Sequence, residues 1–278
     1  MISIGGEKMK RLLVVVVCTV MLLTISGCFP RDKPLPKIVL IDDVHNNIST
    51  SSIEEYATNE LAGYFEGIVT ILYSKGYEVA YASEVGFTPQ NYAIVILSIP
   101  LQAYTPTEIA ALNSQLSKKG KIIMIDMLVE VPPASTFFLD ALSDGLNTGI
   151  GFVWGLVTDT VNNIGGNKLV ITSDNFGTHP IASSLSSKIA MTFTTKLTVG
   201  GNATAVVYAE DSAVFLTYVS SLEGQAPIPQ VSDPIPIVAA SSVNGGKVVA
   251  ISSAYAFHGT LMGIVPGNTD LFEAIVDW

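Results

Sequence analysis

Cysteine is almost missing from this chain. Of 278 residues only Cys18 and Cys28 carry a thiol, and both precede residue 29. Everything after them lacks the means to form a disulfide, a zinc–thiolate site or a thiol nucleophile. Histidine is scarce too: His45, His179 and His258 are all there are, too few for a histidine-rich metal site. Charged residues make up 14% of the chain against 49% hydrophobic. That balance excludes a disordered polar chain and supplies a core for one large domain or two small ones. The chain has no Gly-x-Ser-x-Gly elbow, no Gly-x-Gly-x-x-Gly and no Gly-Lys-Ser/Thr. The strained-turn serine nucleophile and the phosphate-cradling loops therefore have no signature here.

Positive charge is the next shortage. Three of the 14 Lys and Arg (Lys8, Lys10, Arg11) and one of the 24 Asp and Glu (Glu7) precede Cys28, which leaves a net charge of −12 on the rest. So acidic a body argues against nucleic acid and against electrostatic docking on anionic lipid. The three cations instead open a leader. Leu12–Leu23 is a run of 12 uncharged residues, followed by Ile25-Ser26-Gly27-Cys28. The run is short of the roughly 20 residues a membrane span needs. Ile-Ser-Gly-Cys resembles the lipobox of bacterial lipoproteins, which implies a signal peptide over residues 1–27 and a diacylated Cys28. A plain signal anchor from Leu12 to Phe29 is the competing reading. Gly5-Gly6-Glu7 lies just upstream of Met9 and can be encoded by purine-rich codons, so Met9 is an alternative start. Residues 28–36, with Pro30, Pro34 and Pro36, read as a tether, and residues 37–278 as the exported domain.

In that domain Lys37–Asp42 (KIVLID), Tyr77–Tyr81, Tyr92–Ile99 and Lys121–Asp126 read as strands, the first, third and fourth almost continuously apolar. Ser51 or Ser52 caps a helix with Glu54 or Glu55 three residues on, its buried face being Ile53, Ala57, Leu61, Tyr64, Ile68 and Leu72. Thr105-Pro106-Thr107-Glu108 opens a second helix with a capping box and Pro at its first position. The order predicts an α/β fold, a mostly parallel sheet flanked by helices. Further on, Phe137–Leu142 is expected to be a short helix, 168–172 a strand, 192–199 and 203–209 a hairpin around Gly200-Gly201-Asn202, and 215–219 a strand. Gln225–Pro236, with four prolines, reads as a loop, and 237–243 with 247–252 as a second hairpin. Asn268 or Thr269 caps a last helix. Residues 145–166 carry no clear pattern.

Three stretches carry a family likeness: VLIDDVHNN, SDNFGTHPI, and GGKVVAISSAYAF followed by GNTDLFEAIVDW. Together they resemble the class I glutamine amidotransferase-like domains, in particular a non-catalytic branch found in exported proteins and in auxiliary subunits of ABC transporters of the gliding-motility type. The resemblance implies a flavodoxin-like sheet. It does not imply amidotransferase chemistry, because the strand KIIMIDMLVEVPP offers Asp126-Met127-Leu128 where the family enzymes place cysteine.

The candidate ligand-binding residues sit where strands end, the edge at which open α/β sheets bind ligands. Asp42, Asp43, His45 and Asn46 follow the first strand, Ser98 ends the third and Asp126 the fourth. The first group suits acid–base work or a divalent metal, or else only serves loop amides. His179 precedes Pro180 in a polar turn, which reads as a ligand contact or a structural turn. Ser252, Ser253 and His258 follow the last strand and with Asp43 or Asp126 allow a Ser/His/Asp set. Tyr64, Phe65, Phe137 and Phe138 read as core or interface. Asp43, His45 and His258 are the candidate catalytic residues. No cofactor is implied, and the expected partners are the membrane, through Cys28, and a small molecule, glycan or envelope protein.

Replacing Cys28 by Ser is expected to abolish incorporation of labelled palmitate and to leave a slower-migrating precursor. Equal labelling of both forms would remove the lipid anchor from this reading.

Overall fold

The apolar runs pair with one another to make the centre of a seven-stranded sheet. The computed structural model describes residues 34–47, 64–128, 134–217, 228–230 and 234–278, and those from Leu35 onward belong to one unit. The leader, Cys28, most of the tether and the Ser51/Ser52 cap with Ile53, Ala57 and Leu61 lie outside the described residues. Strands β1 (Ile38–Ile41), β2 (Glu78–Tyr81), β3 (Ile94–Ser98), β4 (Lys121–Ile125) and β15 (Gly246–Ile251) run parallel in the order β2-β1-β3-β4-β15. This is the flavodoxin-like order, with its reversal between β1 and β3. Beyond β15 come β14 (Pro236–Val243) and β11 (Thr204–Tyr208), added antiparallel.

Alternation along each strand sends side chains to two separate cores. On one face Val39, Ile41, Ile94, Ile96, Ile123, Ile125 and Val249 pack under α1 (Tyr64–Ser74) and the C-terminal helix α5 (Pro266–Asp277). On the other Leu40, Val95, Leu97, Ile122, Met124 and Val248 pack under α2 (Pro106–Ser117) and α3 (Ser135–Leu146). Burial on both faces explains why these strands lack polar alternation. The capping box of α2 is present as expected: Thr105 Oγ1 accepts from the Glu108 N–H, and Glu108 accepts from the Thr105 N–H. The hairpin of β14 and β15 also forms as expected around Asn244 and Gly245.

Four expectations are corrected. Residues 192–209 do not form a hairpin: β10 (Lys196–Val199) pairs with β5 (Ile150–Val153), while β11 pairs with β14. The turn survives, with Ala203 N–H donating to Gly200 at 3.0 Å, but Gly200 N–H is taken by Gly149 at 2.8 Å. That approach requires glycine at 149, where φ is +74° and a Cβ would sit 2.2 Å from the Gly200 oxygen. Pairing with β5 buries Leu197 beside Phe152 and Leu146 of α3, which a local hairpin would not do. The short helix at Phe137 runs the 12 residues of α3.

The proline-rich loop contains β13 (Ile228–Gln230), antiparallel to β12 (Ala213–Thr217), which in turn pairs with β6 (Leu156–Asp159). β13 is an edge strand of that sheet, where Pro229 needs no ladder donor, and Pro236 is the first residue of β14. Finally, α5 starts at Pro266, and neither Asn268 nor Thr269 caps it. Asn268 points inward instead. Its amide accepts from Ala190 N–H at 2.7 Å and donates to the Ala190 and Ala256 carbonyls at 2.8 and 2.6 Å, tying α5 to β9 (Ile189–Thr192).

The previously unpatterned 145–166 stretch supplies β5, β6 and β7 (Asn163–Ile164), the last pairing with β8 (Asn167–Ser173). β8 pairs with β9 on its other side. The segment after β8 then lies along the outer side of β11: Phe176 bridges Val207, Gly177 N–H donates to Val206 and Tyr208 N–H to Asn175. At the start of the parallel strands, the Lys121 ammonium donates to the Ile275 and Val276 carbonyls at 2.6 and 2.7 Å, a cation on the last turn of α5. No helix among the described residues is long and apolar enough to cross a membrane.

Asn268→Ala leaves three buried backbone groups without their partner. It is expected to destabilise the chain by about 2–4 kcal/mol, read from denaturant unfolding. A loss below about 0.5 kcal/mol would mean that the bracket holds nothing together.

Candidate functional site

The loop that leaves β1 meets the loop that leaves β3 at the strand-order reversal. Asp42 N–H still donates to Ile96 at 3.0 Å, so its side chain is fixed by the ladder. That carboxylate is fully buried. Oδ1 accepts from Val44 N–H at 3.2 Å and lies 2.9 Å from His45 Nδ1, and Oδ2 accepts from the Tyr104 hydroxyl at 2.6 Å. The other ring nitrogen of His45, Nε2, lies 3.4 Å from Glu108 Oε1. Glu108 Oε2 meanwhile accepts from the Thr105 N–H and hydroxyl, both at 2.7 Å. The imidazole is buried, its side chain 4% exposed. It lies between Tyr104, at 4.1 Å between ring centres, and Phe87, edge-on at 4.9 Å.

The charges follow from these contacts. Burial works against a charged imidazole, but Asp42 and then Glu108 outweigh it, and His45 titrates above the usual 6.5. Burial lifts the Tyr104 hydroxyl well above 10, reinforced by Asp42. Glu108 is held below 4.5: burial opposes this, and Thr105 and His45 prevail. His45 is thus the middle of a triad, with Nδ1 turned to one carboxylate and Nε2 to the other.

The crevice beside the triad is stitched shut. Asn47 Oδ1 accepts from His45 N–H at 3.1 Å while its Nδ2 donates to the Ser98 carbonyl at 2.8 Å, and Leu101 N–H donates to the His45 carbonyl at 3.0 Å. Ser98 therefore contributes its backbone here. Asn46 is the exposed turn residue, at φ +55°, a conformation asparagine tolerates. Buried Ile99, ahead of Pro100, holds φ +44°, a strained position for a β-branched side chain. Asp43 does not join Asp42; it turns to Ser83, accepting from its N–H at 2.7 Å and from its hydroxyl. The sequence marks Glu108 only as a capping-box acid, and a cap uses one of its two oxygens; Tyr104 and Asn47 are not among the candidate site residues it offers.

Asp126, at the end of β4, is a second sealed node. Thr136 and Thr195 hydroxyls donate to Oδ2, both at 2.9 Å, and the Ser135 hydroxyl to Oδ1. Complete burial raises the carboxyl from 3.8 to about 6 although the three hydroxyls pull it down. Its partners are hydroxyls and the Met127 backbone, not a histidine. Ser253 donates to the Thr192 carbonyl at 2.6 Å, and the Ser252 hydroxyl lies 4.0 Å from Met191 Sδ. His258 caps α4 (Gly259–Ile264), its Nδ1 accepting from Thr260 N–H at 3.2 Å. The residues of a Ser/His/Asp relay are therefore committed to other contacts.

His179 lies away from this edge. Its Nδ1 accepts from Ile181 N–H at 3.2 Å and its ring meets Trp278 edge-on at 4.6 Å. Burial and Lys247, near the start of β15, hold it below 6.5. Among the described residues no three His, Cys, Asp or Glu side chains are grouped to hold a metal ion. Of the aromatic candidates, Phe137 is half exposed and pairs with Trp154 at 6.3 Å, while the side chains of Tyr64 and Phe65 lie outside the description.

What the sheet edge does offer is a groove of about 360 Å³, lined by Val170, Thr192, Tyr255, His258, Thr260 and Leu261. Phe193, at φ +50°, stands beside Tyr255 at 5.6 Å, and its carbonyl accepts from Leu128 N–H at 2.9 Å.

No family model and no curated protein matches the chain. Solved structures do. The mmIFT52 N-terminal domain superposes with a TM-score of 0.57 at 15% identity, covering 87% of this chain and 96% of that one. The cytoplasmic protein STM3548 from Salmonella typhimurium gives 0.49 at 12% identity over 87% and 98% of the two chains. An exo-beta-1,4-mannosidase from Opitutaceae bacterium strain TAV5 gives 0.44 at 11% identity over 88% of this chain and 35% of that one. The first likeness is one of fold alone; the other two are weaker still.

Asp126 gives a signed pH prediction. Its folded value lies above its unfolded one, so between about pH 4 and pH 6 the folded state keeps a proton that the unfolded state loses. Stability falls as pH rises through that window, by about 3 kcal/mol from this group alone. Unfolding free energies at pH 4 and pH 7 should show this difference between the wild type and Asp126→Asn. Parallel profiles would contradict it.

Proposed function

We propose that the chain is a non-enzymatic binding module of the cell envelope, held to the membrane by lipid on Cys28 and recognising a small molecule, glycan or envelope protein. One observation carries the reading. The side chains best suited to chemistry, Asp42, His45 and Asp126, have their polar atoms engaged by neighbours within the fold. The groove at the same edge is lined mainly by aliphatic, aromatic and hydroxyl groups. A small-ligand pocket has this character and a volume of roughly 300–1,000 Å³. The leader and the acidic body support export and a lipid rather than electrostatic hold on the membrane. Service beside an ABC transporter is one form this recognition takes, and it rests on the family resemblance alone.

A screen of ester, amide and glycoside substrates is expected to give the same background rate for the wild type and for His45→Ala. A clear turnover that His45→Ala abolishes would replace the binding reading with the hydrolase one based on Asp42, Asp43 and His45.

A further inference from the structure

A neutral imidazole has one N–H, yet His45 presents both ring nitrogens to carboxylate oxygens, Nδ1 to Asp42 at 2.9 Å and Nε2 to Glu108 at 3.4 Å. Only the doubly protonated ring can donate to both. We propose that Asp42, His45 and Glu108 form a proton-held latch: the imidazolium ties the loop after β1 to the first turn of α2, and loss of its proton frees that turn.

The two halves of the latch are unequal. Asp42 is fully buried and also accepts from Val44 and Tyr104, so it keeps its hold on the ring through Nδ1. Glu108 is partly exposed, with a side-chain accessibility of 25%. When the ring is neutral and Nδ1–H stays with Asp42, a lone pair on Nε2 faces a lone pair on Oε1. Two carboxylates then share the site with no cation between them, and the exposed one moves. Its movement reaches further because Oε2 of the same group caps α2 through Thr105.

The groups facing His45 are few. Asp42 comes from its own loop, Tyr104 from the segment before α2, Glu108 from α2 and uncharged Phe87 from the segment between β2 and β3. Asp43 is turned to Ser83. The direction of switching is therefore single. The latch is closed below the ring's midpoint, which lies above 6.5, and its contribution to stability is lost as pH rises through that midpoint. This holds whatever the module binds.

Two measurements on the whole 278-residue chain test the latch. The first is an NMR titration of the His45 ring. The second is amide exchange at Leu101 and Thr105, corrected for intrinsic rate, from pH 5.5 to 9. In the wild type the midpoint should exceed 6.5, and protection should drop by about tenfold as pH passes through it. Glu108→Gln keeps the capping box, since glutamine serves there equally, and its amide can meet either ring form. The variant should lower the midpoint by about one unit, a tenfold loss of proton affinity, and should show no step in protection. A wild-type midpoint at or below 6.5, or the same step in both proteins, would overturn the proposal.

Discussion

A sheet covered on both faces has no room for water along its strands, and this single constraint organises the molecule. Every polar group that the central strands carry must sit where a strand begins or ends. At the beginning, buried Lys121 reaches the Ile275 and Val276 carbonyls of α5 and Lys247 the Trp278 carbonyl just past it. At the other end, Asp42 and Asp126 lie one residue past β1 and β4 and have no outlet to solvent. Each is held locally, Asp42 by the His45 ring and a phenol, Asp126 by three hydroxyls, the Met127 backbone and a raised proton affinity. The two solutions differ because a histidine lies three residues beyond Asp42, whereas Asp126 is met by the Ser135, Thr136 and Thr195 hydroxyls and by the Met127 backbone.

The same edge therefore combines sealed nodes with an open groove. The seals hold loops that would otherwise diverge. Asn47 and Leu101 close the crevice between β1 and β3, and Ile99 is held in a conformation its side chain disfavours. The open part lies beyond β15, where Tyr255, Phe193 and His258 gather around backbone already committed to α4 and β9. On the proposed reading, backbone already hydrogen-bonded in this way suits recognition, because a preformed surface loses little freedom when it is occupied.

The sheet centre was legible because its signals are local or nearly so. Apolar runs in KIVLID, YAIVILSI and KIIMID, and the Thr105–Glu108 capping box, each name an element without reference to the rest of the chain. The fates of Leu197 and Ile150 were not legible, since their pairing depends on a partner more than 40 residues away and on glycine contact at Gly149. Asn268 looked like a cap because capping and bracketing use the same amide; only the approach of Ala190 and Ala256 decides between them. At the site, Asp42 and His45 announced themselves by chemistry and by position after a strand. Their partners Tyr104 and Glu108 did not, because the second oxygen of a capping glutamate leaves no trace in a linear pattern.

The segment after β8 that lies along β11 has a consequence for how copies of this chain behave in a crowd. Unsatisfied strand edges template side-by-side polymerisation. Phe176, Gly177 and Asn175 occupy the outer backbone of β11, which leaves β2 as the only bare margin of the seven-stranded sheet among the described residues. β2 is four residues long and begins with the exposed Glu78, so a second molecule would find there a short landing strip guarded by negative charge.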